Sequence, residues 1–397
     1  MALAIPAGFK MAGLHCGIKR NPNKEDLSLI VCERATVAAG VYTTNLVVAA
    51  PVVWDRERTP SAKIRAVITN SGNANACTGP KGDEDNAQLA ALVGQQIDAE
   101  ADDVLVMSTG IIGHHLPMEK ISTGIETIAE KLGNSEEHFH AAARGILTTD
   151  NGEKSTGREV TLAGKKVSIV GMAKGAGMIG PKMATMLGVV LTDAELSAEQ
   201  AQQVLTAVAN ETFNCISVEG HRSTNDTLLL LASGAAETGP LGDADLQEFQ
   251  RHLREMCEEL AKKIPADGEG ATHLIVIDVL GCGSREDAFQ IAKTVSDSPL
   301  VKTAITGGDP NWGRICSAAG YAGVDFDPSQ MRLTINGHLL YEHGTPVKFD
   351  EKAASQAIKN SFETHVELSF GEGQEKARFW TSDLTVDYVK FNSEYRT

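Results

Sequence analysis

Short apolar runs alternate with stretches whose apolar residues recur every three or four positions, along nearly the whole chain. The runs at 27–31, 66–69, 104–107, 167–171, 187–191, 227–232 and 274–280 have strand length and strand composition. Helical spacing is carried by Ile121, Ile125, Ile128 and Leu132 before a stop at Gly133, and by Leu246, Phe249, Leu253, Met256 and Leu260. Ser197 followed three residues later by Gln200 is a capping-box start for a further helix. Strands mixed with helices in this way predict an α/β or α+β class. With 397 residues the chain is long enough for two or three packed units. The turn at 281–284 is the best start for a C-terminal unit, expected over 285–380, and the tail at 384–391 alternates like a final strand. There is no short-period repeat.

A net charge of -16 argues against non-specific binding to nucleic acid or to an anionic membrane, so an anionic small substrate would need its own basic residue. The first ten residues, MALAIPAGFK, lack the basic and apolar regions of a secretory signal, and the apolar runs are too short to span a bilayer. The seven cysteines (16, 32, 77, 215, 257, 282 and 316) are odd in number and form no Cys-x-x-Cys pair. That spacing fits free thiols in a reducing cytoplasm and fits a metal site poorly.

The most informative stretch is Lys174-Gly-Ala-Gly-Met-Ile-Gly-Pro-Lys-Met-Ala-Thr-Met-Leu187. A phosphate loop would end in Gly-Lys-Ser/Thr, which is missing. The dinucleotide fingerprint is met only loosely by Gly175, Gly177 and Gly180, with Pro181 and a strand following where a helix is required. From these residues alone, a tight turn before a core strand is the favoured account. A third reading is chemical. A threonine hydroxyl is a weak nucleophile unless a base adjoins it. If the peptide bond between Ala184 and Thr185 were cut, the new α-amine of Thr185, with an ordinary pKa near ~8, would be that base.

This segment resembles the processing site of the ornithine acetyltransferase family, the arginine-biosynthesis bifunctional proteins, whose pattern is Gly-Ala-Gly-Met-Ile-x-Pro-x-Met-Ala-Thr-Met-Leu. The resemblance extends to Asn70-Ser-Gly-Asn-Ala-Asn-Ala-Cys-Thr-Gly79, Ser108-Thr-Gly-Ile-Ile-Gly113, Thr148-Thr-Asp150, Asp267-Gly-Glu-Gly-Ala-Thr272, Asp309-Pro-Asn-Trp-Gly-Arg-Ile315 and Asn392-Ser-Glu-Tyr-Arg-Thr397. It implies a layered αββα sandwich like that of the self-processing aminopeptidases, with a smaller C-terminal α+β unit. It implies autocatalytic cleavage at Ala184–Thr185 into chains 1–184 and 185–397, which stay together as a heterotetramer of two of each. It further implies acetyl transfer from N2-acetyl-L-ornithine to L-glutamate through an acetyl-Thr185 ester, with no metal or organic cofactor, and with acetyl-CoA as an optional second donor.

By the same resemblance Thr109 and Gly110 form the oxyanion hole, and Thr148, Lys174, Thr185, Glu269, Asn392 and Thr397 hold substrate. Without it, Ser-Thr-Gly is an ordinary strand-ending turn, Lys174 a solvated loop charge, Glu269 a charge in a Gly-rich turn, and the last residues a frayed tail. The chain departs from the family in several places. His114 and His115 replace more usual polar residues, Lys182 replaces a common Asn, and Glu219-Gly-His-Arg-Ser-Thr-Asn-Asp226 stands for Asp-Gly-Asp-Thr-Ser-Thr-Asn-Asp. These changes put substrate preference in question more than mechanism. Two competing expectations are an N-terminal-nucleophile amidohydrolase or aminopeptidase, in which water would resolve the ester, and an uncleaved ligand-binding relative.

Overall fold

The computed structural model describes residues 3–180, 186–371 and 373–394. In chain order the first sheet takes β1 (Phe9–Leu14), β2 (Leu27–Tyr42), β3 (Ser61–Asn73), β4 (Val104–Ile111), β5 (Lys154–Leu162), β6 (Lys165–Lys174) and β7 (Leu187–Thr192). It skips β8 (Ile216–Ser217) and ends with β9 (Thr227–Ala232). The order across it is β4-β3-β2-β9-β7-β6-β5, with β1 paired to β2.

β2 is sixteen residues long and gives this sheet its shape. Its first half pairs with β3, and its second half pairs with β9. Register shifts between Val31 and Ala38 mark the change of partner, as expected where irregular pairing bends a strand. The sheet thereby folds over on itself into two layers. Alternation along each strand then fills three zones. Ile30, Val67, Leu105 and Met107 of one layer meet Val189, Leu191, Leu229 and Leu231 of the other. The opposite face of the first layer, with Leu27, Leu29, Ile68 and Val106, is covered by the helices Gly79–Ile97 and Met118–Ala129. The outer face of the second layer, with Ile169, Val190, Leu228 and Leu230, is covered by the helices Ala198–Glu211 and Asp243–Ala266. The result is the expected αββα sandwich.

The second sheet runs β13-β12-β11-β14-β10-β15-β8, with β10 (Leu274–Cys282), β11 (Met331–Ile335), β12 (His338–Glu342), β13 (Thr345–Pro346), β14 (Glu363–Phe370) and β15 (Glu375–Ser382). The helix Asp243–Ala266 touches β15 and β8 as well as β5 and β6, so it joins the two units. β10 and β8 both precede residue 285, yet both belong to this sheet. Among the described residues no helix is long and apolar enough to cross a membrane, and the seven cysteines are free thiols.

The expected strand at 384–391 is instead the helix Val386–Glu394. The Thr385 hydroxyl caps it, accepting from the Tyr388 N–H at 3.2 Å. The local cap favours the helix over an extended strand. The capping box at Ser197 forms as expected, with Gln200 closing it in both directions.

Candidate active site

β6 is antiparallel to β7, and β7 is parallel to β9. The C-terminal end of β6 therefore lies beside the N-terminal ends of β7 and β9. β4 ends in the same region, and a cleft of about 170 Å³ opens there. Thr109 and Gly110 from β4, Thr148, Lys174 from β6, Glu269 and Asn392 all line it. Six residues expected from resemblance alone, spread over 284 positions of sequence (392 - 109 + 1), thus share one cavity. Ala184, Thr185, Lys182 and Thr397 lie outside the described residues. Met186, the residue after Thr185, is described and starts the chain back into β7.

Gly110 holds a positive φ of 134°, and a methyl group there would sit 2.3 Å from the Gly72 carbonyl carbon on β3. Only glycine allows the two parallel strands to close at this point. Gly110→Ala is therefore expected to cost about 1–3 kcal/mol in stability and to displace the adjoining Thr109. Denaturant unfolding with a parallel activity assay checks both effects.

Lys174 is fully buried and its ammonium donates to the Thr109 hydroxyl at 3.2 Å. Burial pushes its pKa down, opposed chiefly by the Asp150 carboxylate. Asp150 is a hub that the sequence did not single out. It accepts from the Gly175 N–H at 2.7 Å, from the Thr148 N–H at 3.1 Å and from the Lys154 ammonium at 2.6 Å. Burial alone would raise its carboxyl, but Lys154 and Lys174 hold it down, at about 2. Lys154 also reaches Asp267 at 2.6 Å. This one carboxylate thus fixes the backbone beside two cleft residues, Thr148 and Lys174.

Glu269 enters the cleft because Gly177 has no side chain, since a methyl there would lie 2.4 Å from the Glu269 carboxyl. Its main-chain N–H donates to the Ala176 carbonyl at 2.9 Å, and its carboxylate accepts from the Asn392 amide at 3.0 Å. Asn392 is thus docked on the cleft by the C-terminal helix.

Further residues in and behind the cleft carry no site role from the sequence, which marks 219–226 only as a departure from the family pattern. The Asn225 amide donates to the Ala74 and Ser108 carbonyls at 2.7 and 2.9 Å, tying β9 to β3 and β4. Asp226 is fully buried and accepts from the Met186 N–H at 2.8 Å, so it anchors the residue that follows Thr185. Burial drives its carboxyl well above the usual range, opposed first by the Met186 N–H. Both belong to the Ser-Thr-Asn-Asp run at the head of β9. That run, continued by Thr227 and then by five consecutive apolar residues, was the available signal. Glu219, His221 and Tyr388 also line the cavity. His114, His115 and Arg222 are exposed and outside it.

Residues 10–397 match the ArgJ family. The chain is 49% identical over 396 residues to the arginine biosynthesis bifunctional protein ArgJ of Rhodopirellula baltica, a match spanning 99% of this chain and 96% of that protein. It is 43% identical over 401 residues to the protein of the same name from Caldanaerobacter subterraneus subsp. tengcongensis, spanning 100% and 98%. Among solved structures, the arginine biosynthesis bifunctional protein argJ of Bacillus halodurans superposes with a TM-score of 0.50 at 38% identity, covering 51% of this chain and 96% of that one. Likeness at this level over essentially the full length, joined to a cleft that gathers the expected residues, makes the chain a member of the ArgJ family.

Proposed function

We propose that Thr185, freed as an N-terminus by cleavage after Ala184, carries an acetyl group from N2-acetyl-L-ornithine to L-glutamate in a ping-pong reaction. As an ArgJ protein the chain is an acetyltransferase of arginine biosynthesis, acting on small molecules. The proposal concerns how it acts. Thr185 Oγ1 attacks the acetyl carbonyl while the α-amine of the same residue takes the hydroxyl proton. The tetrahedral oxyanion is received beside Thr109 and the Gly110 N–H, where removing a donor typically costs ~100- to 1,000-fold in rate. Collapse expels ornithine, with the proton returned to its nitrogen, and leaves the acetyl-Thr185 ester. Glutamate then attacks the ester and the steps reverse. Thr148 and Lys174 suit the α-carboxylate shared by both substrates. Glu269, with Asn392 and Thr397, suits the far end of the donor. The ester conserves the acyl bond, so no metal or organic cofactor is required, and acetyl-CoA could acylate Thr185 by the same attack.

One observation carries this reading. Thr109, Lys174 and Glu269 converge on one cleft near the head of β7, the strand that begins two residues after Thr185. Cleavage is supported by the Bacillus halodurans structure, where a chain covered to 96% corresponds to 51% of this one. A heterotetramer of two 1–184 and two 185–397 fragments in the cytoplasm completes the proposal.

The test is intact mass measurement of the purified protein with N-acetylornithine alone. The 185–397 fragment should gain one acetyl group and lose it again when glutamate is added, with N-acetylglutamate formed. Loss of the acetyl group to water without transfer would replace the reading with an amidohydrolase.

A further inference from the structure

The cleft must accept two substrates in turn whose far ends carry opposite charge. N-acetylornithine ends in an ammonium and glutamate in a carboxylate, yet both place an α-nitrogen at Thr185. A fixed set of charges that attracts one end repels the other. The relief is a group whose own charge can change with the occupant.

Glu219 has the geometry for that task. It lines the cleft, and both of its carboxyl oxygens are shielded from water, with no hydrogen-bond partner of normal geometry among the described residues. Its position is set by the Ile179 carbonyl, which accepts from the N–H groups of Val218, Glu219 and Gly220 at 2.9, 3.3 and 3.0 Å. Two neighbours in the cleft are Glu269, whose charge is answered by the Asn392 amide, and the phenol of Tyr388. Behind it lies Lys302, whose buried ammonium donates to the Val218 carbonyl and, at 3.2 Å, to the Thr381 hydroxyl, and whose pKa burial lowers to about 8, so that it titrates together with Glu219. Asp297 is nearby, holding Ser217 at 2.8 Å and Lys293 at 2.9 Å. His221 lines the cleft from the same loop, and Lys174 lies toward Thr109. A carboxyl group with a cation behind it and carboxylates beside it is pulled both ways. Burial raises its pKa, Lys302 and the Ile179 N–H oppose the rise, Glu269 and Asp297 reinforce it, and the outcome is about 8.

We propose that Glu219 determines the dual specificity of the cleft, ionised opposite the ammonium of N-acetylornithine and protonated opposite the side-chain carboxylate of glutamate. In the donor complex the carboxylate pairs with the ammonium. When ornithine leaves and glutamate enters, Glu219 takes one proton from solvent and donates it as a hydrogen bond to the incoming carboxylate. The proton returns to solvent when N-acetylglutamate departs. The proposal rests on the ping-pong reading given above.

The two half-reactions separate the ideas. Matured enzyme is acetylated with N-acetylornithine, and ornithine release is timed. Isolated acetyl-enzyme is then discharged with glutamate. In the wild type the ratio of donor kcat/KM to acceptor kcat/KM should rise at least about tenfold between roughly pH 7 and 9, on either side of the Glu219 titration. Acceptor kcat/KM is expressed per glutamate with a neutral α-amine, because only that form can attack the ester, and the Thr185 amine serves as base in both halves. Glu219→Gln is permanently neutral and nearly isosteric. It should lower donor kcat/KM about tenfold, leave acceptor kcat/KM within about threefold, and flatten the pH dependence of the ratio. Equal losses in both halves, or a wild-type ratio that ignores pH, overturn the proposal while acetyl-enzyme still forms. If no acetyl-enzyme forms in the wild type, the ping-pong reading itself fails and this proposal with it. The wild-type ratio decides the matter even if the variant does not mature.

Discussion

Thr185→Ala gives one uncut chain of 42.1 kDa and an enzyme whose acetyl transfer is down on the order of 10,000-fold or more. The expectation is large because the substitution removes two functions at once. In the proposed mechanism the hydroxyl attacks the Ala184 carbonyl, and without that attack the α-amine that would serve as base is never released. No described residue supplies a substitute nucleophile at the head of β7, where Met186 and Leu187 follow with apolar side chains. Thr185→Ser keeps a hydroxyl and, once cut, an amine. It should therefore mature, more slowly, and retain part of the rate. Intact mass and a glutamate-acetylation assay read both variants. A Thr185→Ala protein that still separates into 1–184 and 185–397 would end the proposed chemistry.

Lys154→Met should cost about 3–5 kcal/mol, the usual penalty for removing one partner of a buried ion pair. Lys154 and Asp150 are both buried at their contact, and Asp267 is the second carboxylate on the same ammonium. The variant would leave Asp150 with Lys174 as its nearest cation and would loosen the hold on Thr148 and Gly175, so kcat/KM should fall as well. The effect has a pH signature. Asp150 has a folded pKa of about 2, below its ordinary 3.8. Its contribution to stability is present above the ordinary value and is lost as pH falls from about 4 towards 2. In Lys154→Met this acid-side loss should be largely missing, because the contribution is already gone at neutral pH. Urea midpoints at about pH 7, 4 and 3 test it, and a variant as stable as wild type at pH 7 would refute the buried-pair account.

Much of the fold could be read from the chain because its central strands are buried on both faces. The continuous apolar runs of β7 and β9 declare themselves without help from distant residues. β2 was legible only at its start. Its extension to Tyr42 depends on pairing with β9, nearly two hundred residues away in sequence. The tail misled because Val386 and Val389 suit a helix as well as an alternating strand, and the Thr385 cap was overlooked. At the site, resemblance supplied Thr109, Lys174 and Glu269, but not the groups that set their environment. Asp150 and Lys154 look like ordinary surface charges until Asp267 comes in from 113 positions away. Glu219 drew notice only as part of a run of departures from the family pattern. Its significance comes from burial and from Lys302, neither of which has a local sequence signal.

The strand order β2-β9-β7-β6 carries a consequence for the matured protein. A cut after Ala184 assigns β7 and β9 to one product and the strands on both sides of them to the other. The pieces would be interleaved like fingers of two hands, and the ladders that β7 and β9 make with β6 and β2 would then join one polypeptide to the other. The described strand pairs all lie outside the cut peptide, so they can persist while the protein stays folded. Once unravelled, however, the two polypeptides must find each other again in solution, so the route that built the sheet from a single precursor is closed behind it.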